Sequence, residues 1–308
     1  MKEKLGLAGN EVKQVIKGKD EIVDKVLAAM IAGGHILLED IPGVGKTTLA
    51  VAVAKAMSLV YRRVQFTPDV LPSDIVGFSM YNKKTDEFEY KPGAVMCNLF
   101  LADEINRTSP KTQSALLEVM EERKVTVDGV TRKLATPFTV IATENPLGSS
   151  GTQKLPESQL DRFMICLSMG YPSHEDAVRI LRENAANPLE QVNPVLSAEE
   201  ITALQKEADS IYVSDTMYDY IVTLTELTRT NELLSVGASP RGSIALLRMA
   251  KAMALLYGRD YIVPEDVYAV FADVFGHRVK LSPKGKAEGV TIAQALEKVF
   301  RLVTAPGT

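Results

Sequence analysis

Gly43-Val44-Gly45-Lys46-Thr47-Thr48 is a run of residue types that could hold a phosphate. Gly43 and Gly45 let the backbone approach phosphate oxygens, Lys46 neutralises β/γ charge, and the Thr47 hydroxyl can ligate Mg²⁺. The usual phosphate-loop spacing asks for a glycine where Asp40 stands, so Pro42-Gly43 must shape the turn. Taken alone, the run also suits an ordinary strand-to-helix turn. A second pair, Asp103-Glu104, closes the apolar segment NLFLA. Carboxylates at the carboxyl end of a core strand are expensive unless they face a cation or a polar ligand. Asp103 is then the candidate for the Mg²⁺ shell and Glu104 for polarising an attacking water, although an isolated Asp-Glu pair is often just a solvated loop. Asn145 ends a third apolar run, FTVIATEN. A neutral amide there can orient a water beside a γ-phosphate, whereas Asn145-Pro146 by itself reads as a turn.

These residues need elements that bring them to one place. The apolar run 36–38 reads as a strand feeding the glycine loop, and the residues after Lys46 read as the start of a helix. A strand, a glycine-bearing loop and a helix N-terminus together wrap a phosphate. Further strand-like runs lie at 61–66, 97–102, 138–142 and 164–169. Helices fall between several of them: one at 21–32, capped by Asp20 and stopped by Gly33-Gly34, and one at Pro110–Glu122 with Ser109 as cap. Strands alternating with helices argue for an α/β unit with a mainly parallel sheet. Two stretches interrupt the alternation. Asp128-Gly129, between Lys124–Val127 and 130–134, is a two-residue hairpin turn, and 74–92 is irregular and carries KKTDEFEY. After Tyr171-Pro172 the chain reads as helix after helix, with a strand suggested only near Ile262-Val263.

The 308 residues, 46% apolar and 24% charged, suit a globular protein with ample core. A net charge of −4 gives no global argument for nucleic acid. Cys97 and Cys166 read as two buried reduced thiols, and the amino end shows no leader-like apolar stretch, so a cytoplasmic address is expected.

In order, the phosphate loop, LFLADEINR, the hairpin, FTVIATENP, LPESQLDRF and GASPRG resemble the MoxR family of AAA+ ATPases. The resemblance runs from about Val15 into the carboxyl-terminal region. It implies an α/β P-loop NTPase (AAA+) core with a parallel sheet over residues 1–172, followed by a smaller all-helical lid over 173–308. It implies ATP and Mg²⁺ as cofactors. Lys46 and Thr47 resemble the Walker A pair, with Gly43, Val44, Gly45 and Thr48 around the phosphates. Asp103 and Glu104 resemble the Walker B pair, with Thr47 and Asp103 at the metal, and Asn145 resembles sensor 1. Arg162 in LPESQLDRF looks like the arginine finger that reaches a neighbouring subunit's γ-phosphate; from the residues alone, a pair with adjacent Asp161 is the plain alternative. Arg241 in GASPRG looks like sensor 2, contacting the same chain's nucleotide in cis. Ile16 and Gly18, flanking Lys17, match the segment that covers adenine, although Lys19 stands where glutamine is common. Region 74–92 resembles the helix-2 insert and 124–134 the hairpin before sensor 1, both facing a ring pore.

The function expected from this resemblance is ATP hydrolysis at subunit interfaces of a ring, six-membered by expectation, that remodels or matures client proteins. A separate protein with a von Willebrand factor A domain is the expected partner. Two other readings stand beside it. A motor or loader acting on nucleic acid would use Lys83, Lys84, Arg132 and Lys133, and a nucleotide-dependent scaffold would not need Glu104. His35 and His277 have no nearby metal-ligand partners, His174 reads as capping or decorating a helix start, and none of the three is a catalytic candidate.

Overall fold

The computed structural model describes residues 1–145, 155–183 and 188–307. Five parallel strands form the central sheet: Ile36–Glu39 (β1), Tyr61–Gln65 (β2), Leu99–Asp103 (β3), Thr139–Glu144 (β4) and Ile165–Leu167 (β5), ordered β2-β3-β4-β1-β5. Successive side chains point to opposite faces, and each face has its own core. Ile36, Leu38, Leu99, Leu101 and Ile141 enter one, while Leu37, Phe100, Val140 and Ala142 enter the other. Burial on both faces is why these strands read as continuous apolar runs rather than alternating ones. The register pairs Leu38 with Thr143 and Ala102 with Ala142, so the carboxyl ends of β1, β3 and β4 are level. The chain crosses from β1 to distant β2, then returns through β3 and β4 before passing to β5 on the other side of β1. Reversals of this kind open a crevice at the carboxyl edge.

Helix Pro110–Glu122 covers the second face through Leu116, Leu117 and Met120, and Ser109 accepts the Thr112 N–H as its cap. The helix expected from residue 21 begins one residue earlier, at Asp20, with Lys19 at the cap position, so Asp20 lies inside the first turn and does not cap it. Both hairpins form. Lys124–Val127 pairs with Val130–Lys133 through Asp128 (φ 51°) and Gly129 (φ 73°), and the irregular region folds as helix Pro72–Val76 followed by Gly77–Asn82 paired with Glu87–Pro92. The two hairpins touch where the Arg132 guanidinium stacks over the Tyr90 ring at 3.9 Å.

Beyond residue 172 the described chain is helical, with helices such as Ala198–Asp209, Asp215–Thr230, Pro240–Leu256 and Pro264–Phe275. A short ribbon joins Leu234–Val236 to Lys280–Leu281, and the strand suggested near Ile262 reduces to a bridge between Tyr212 and Tyr261. This helical part does not keep a core of its own. Leu204, Leu246, Met249 and Val270 pack in one cluster with Leu27, Ile31 and Leu49.

Candidate nucleotide site

The phosphate loop leaves β1 at its carboxyl end. Gly43 (φ 85°) and Gly45 (φ 97°) both hold left-handed backbone conformations, which side-chain-bearing residues adopt only with strain. A Cβ at Gly43 would meet nothing within 4 Å, so the loop leaves open room above its backbone. Gly45 is the N-cap of helix Lys46–Ala56 and supplies no side-chain cap. The first N–H groups of that helix therefore face the loop, where an anion would satisfy them and complement the helix dipole. Val44, Thr47 and Thr48 are half-buried around it.

Lys46 folds back into this cradle, its Nζ donating to the carbonyls of Asp40 (2.6 Å) and Ile41 (3.2 Å). Burial lowers its pKa from the ordinary lysine value, against the pull of Asp40, Asp103 and Glu104. Asp40, which stands in place of the loop's first glycine, has a structural task. Its carboxylate accepts the Ile41 N–H (2.9 Å), the Ser168 hydroxyl (3.2 Å) and the Gly170 N–H (2.7 Å), tying the loop to the segment after β5.

Asp103 and Glu104 emerge beside the loop, as the level strand ends require. Asp103 is buried; its Oδ1 accepts the Thr143 hydroxyl at 2.6 Å, and its Oδ2 accepts Arg63 at 2.7 and 3.2 Å. The Thr143 hydroxyl also accepts the Glu104 N–H at 2.8 Å, so one side chain of β4 positions both acidic residues. Glu104 has φ 56° and receives Arg107 at 2.8 Å. Asn145 directly follows β4 on the same edge, with its carbonyl accepting the Asn106 amide at 3.3 Å. Ile16 is buried, Lys19 donates to the Tyr171 carbonyl at 3.0 Å, and the Asp176 carboxylate lies against Gly18. The segment expected over adenine therefore adjoins the chain that Asp40 anchors.

The two arginines lie elsewhere. Arg162 precedes β5 and donates to the Leu117 carbonyl at 2.7 Å. Its Nη2 meets Glu121 Oε2 at 3.3 Å, while Arg241 reaches Glu121 Oε1 at 2.6 Å. Asp161, the adjacent carboxylate, pairs with Arg278 at 2.7 Å and not with Arg162. Arg162 and Arg241 share a pocket with Gly33, Gly34 and His35, which lead into β1. They are thus at the amino edge of the sheet, separated from the phosphate loop by the length of β1, about 13 Å for four residues. The resemblance assigns Arg241 to its own chain's nucleotide in cis; in the structure its guanidinium is held by Glu121. Helix Pro240–Leu256 packs Leu246 and Met249 into the core shared with helix Asp20–Ile31, and this docking turns Arg241 toward Glu121.

Comparison with known proteins gives the family. Residues 35–165 match the family model described as "ATPase family associated with various cellular activities (AAA)", and residues 226–299 match the "AAA lid domain". The Bacillus subtilis protein YeaC is 48% identical over 303 residues, covering 98% of this chain and 95% of its own. Chaperone MoxR1 of Mycobacterium tuberculosis is 39% identical over 305 residues, covering 96% of this chain and 81% of its own. The chain belongs to the MoxR family of AAA+ ATPases. A crystal structure of a Cytophaga hutchinsonii protein superposes with TM-score 0.92 at 38% identity, covering 99% of this chain and 95% of that one.

For a MoxR-family member the residues present suit a nucleotide. The open glycine cradle, the uncapped helix start and Lys46 form an anion site. A buried carboxylate and a threonine hydroxyl form a hard-oxygen set of the kind Mg²⁺ takes when phosphates supply the remaining ligands. Three residues that matter to this site escaped the sequence reading: Arg63, Thr143 and Glu121. Thr143 had a signal, a hydroxyl two residues before Asn145 within an apolar run. Arg63 and Glu121 had none, because a charge on an exposed strand or helix end is ordinary.

Proposed function

We propose that this MoxR-family chain hydrolyses ATP at sites shared between neighbouring subunits of a ring, six-membered by expectation, and uses the cycle to remodel client proteins. The observation that carries the reading is the separation of the arginines from the phosphate loop: Lys46 and Asp103 occupy one edge of the sheet, Arg162 and Arg241 the other. Within one chain they lie apart, and head-to-tail packing of two copies would place one chain's arginines at the next chain's phosphate loop. In this reading Gly43, Gly45 and Lys46 hold the β/γ-phosphates, Glu104 orients the attacking water with Asn145 beside it, and Thr47 with Asp103 holds the cation. Mg²⁺, when bound, supplies charge neutralisation across the β/γ bridge. Arg162 comes from the next subunit, and Arg241 comes with it in trans, because both are fixed to the same Glu121 carboxylate. A finger supplied in trans is worth ~10³–10⁵ in turnover in related phosphoryl-transfer systems.

The client-remodelling part rests on the family and on a relative named a chaperone. The exposed aromatic tip of the insert hairpin, Tyr81 beside Phe88, offers an apolar grip for a polypeptide. A separate von Willebrand factor A protein is the proposed partner, with 1–172 as the ATPase unit and 173–308 as the lid.

The test is complementation. Lys46→Ala and Arg162→Ala proteins are each expected to be inactive, and a mixture after subunit exchange is expected to regain part of the ATPase activity, since some interfaces pair an intact loop with an intact Arg162. No recovery, with exchange verified, would overturn the shared site.

A further inference from the structure

The pocket that holds Arg162 and Arg241 contains more positive charge than those two residues explain. Its volume is about 380 Å³, and its lining includes Arg123, Arg162, Arg241, Arg248 and Arg278. Glu121 and Asp161 are the carboxylates in that lining, so five guanidinium groups against two leave three charges uncompensated. Arg162 and Arg241 share Glu121, and Arg278 is taken by Asp161 and by the carbonyls of Phe163 and Met164. Arg123 donates to the Gly33 carbonyl at 2.7 Å. Among the described residues, neither Arg123 nor Arg248 forms an ion pair with a carboxylate. Both guanidinium groups converge on Gly33, where a Cβ would sit 3.3 Å from Arg248 Nη2 and 3.5 Å from Arg123 Nη2. The pK of Arg123 is lowered, first by burial and then by the charge on Arg248.

Such convergence is unfavourable in an isolated chain and favourable only with an anion nearby. The chemistry of the anion follows from the cations. All five are arginine and none is lysine, and the planar guanidinium fork matches phosphate oxygens in pairs. Arg248 lies seven residues after Arg241 on one helix, two turns along the same side, so a ligand reaching Arg241 extends naturally toward Arg248.

We propose that Arg248, with Arg123, forms a second guanidinium pair that binds the phosphates of the nucleotide held by the neighbouring subunit. The proposal rests on the shared-site reading above and extends it from two arginines to four. Glu121 then stands in for the phosphate oxygens while the subunits are apart, and gives up its hold on Arg162 and Arg241 when the neighbour docks.

The measurement is sedimentation velocity against subunit concentration with MgATP, in a Glu104→Gln background that holds nucleotide without turnover. Arg248→Ala and the length-preserving Arg248→Gln are expected to raise the assembly midpoint at least tenfold, with partial recovery in Arg248→Lys because an ammonium makes no fork. A fluorescent ATP analogue is expected to bind the dilute monomer unchanged in all three. An unmoved midpoint in the Arg248 variants, with Arg162→Ala still raising it, would overturn the proposal and leave the shared site standing. An unmoved midpoint in Arg162→Ala as well would overturn both. Tight pyrophosphate binding to the dilute Lys46→Ala monomer, lost in Arg248→Ala, would make this an anion site within one chain and overturn the trans assignment.

Discussion

Asp103 is not a bare carboxylate waiting for a cation: Arg63 already occupies its Oδ2, and Thr143 its Oδ1. A guanidinium at 2.7 Å competes with any divalent ion for the same oxygen. Coulomb attraction between unit charges about 4 Å apart is ~4 kcal/mol at an effective dielectric of 20, an upper figure here because Arg63 is partly exposed. Arg63→Ala is therefore expected to lower the Mg²⁺ concentration for half-maximal ATPase activity several-fold. A magnesium titration whose midpoint stays put or rises would show that Arg63 assists the metal and does not compete with it. The contrast between these residues shows what a sequence displays. Gly43, Gly45, Lys46 and Thr47 lie within five residues of one another, so their pattern survives in the chain. Asp40 meets Gly170 across 130 residues, and Thr143 meets Asp103 across 40, so their roles exist only after folding.

At the scale of elements, apolar runs located the inner strands β1, β3 and β4 but not their ends, whereas β2, Tyr61–Gln65, is a mixed and partly exposed edge strand. The strands carrying the site continue into Asp103 and Glu144, because polar end residues still pair in the ladder when they face a ligand-binding edge. The helix Lys2–Val15 carries a signal in the helical spacing of buried Leu5, Ala8 and Val12, outside the elements expected above. The Leu234–Val236 ribbon was not legible, since its partner begins more than 40 residues later at Lys280. The insert hairpin depends on one backbone approach. A Cβ at Gly93 would lie 2.2 Å from the Ile75 carbonyl oxygen and 2.3 Å from the Gly77 nitrogen, both backbone atoms with little room to give. Gly93→Ala is expected to detach the hairpin Gly77–Pro92 from helix Pro72–Val76. Limited proteolysis should then cut within 77–92 at least tenfold faster than in the parent, with MgATP binding retained. Equal cleavage rates would contradict this account of how the insert is held.

In the whole molecule, one of the two cores runs from the sheet into the helical part, although the secondary structure changes to helices after residue 172. Buried Leu27, Leu49, Leu246 and Val270 belong to a single cluster, so the lid is joined to the ATPase core by packing as well as by the chain. Buried His35 and half-buried His277 give that assembly a defined acid response. Burial pushes His35 down to about 4 and His277 down to about 3. Unfolding would return each to the ordinary value near 6.5, so between those limits the unfolded chain binds more protons and stability rises with pH. Each contributes about 1.4 kcal/mol per pH unit within its window. Urea midpoints are expected to fall between pH 6.5 and pH 4.5, with a shallower fall in His277→Gln; an unchanged slope in that variant would contradict the neutral assignment.

The central claim, that a working site needs two subunits, is tested most directly by ATPase activity per subunit as the protein is diluted until sedimentation shows only monomer. The account predicts that specific activity collapses together with the assembly, because Arg162 leaves the neighbour's phosphates when the interface parts. Specific activity that stays constant into the monomeric range would contradict it, and would place a complete catalytic site within one chain.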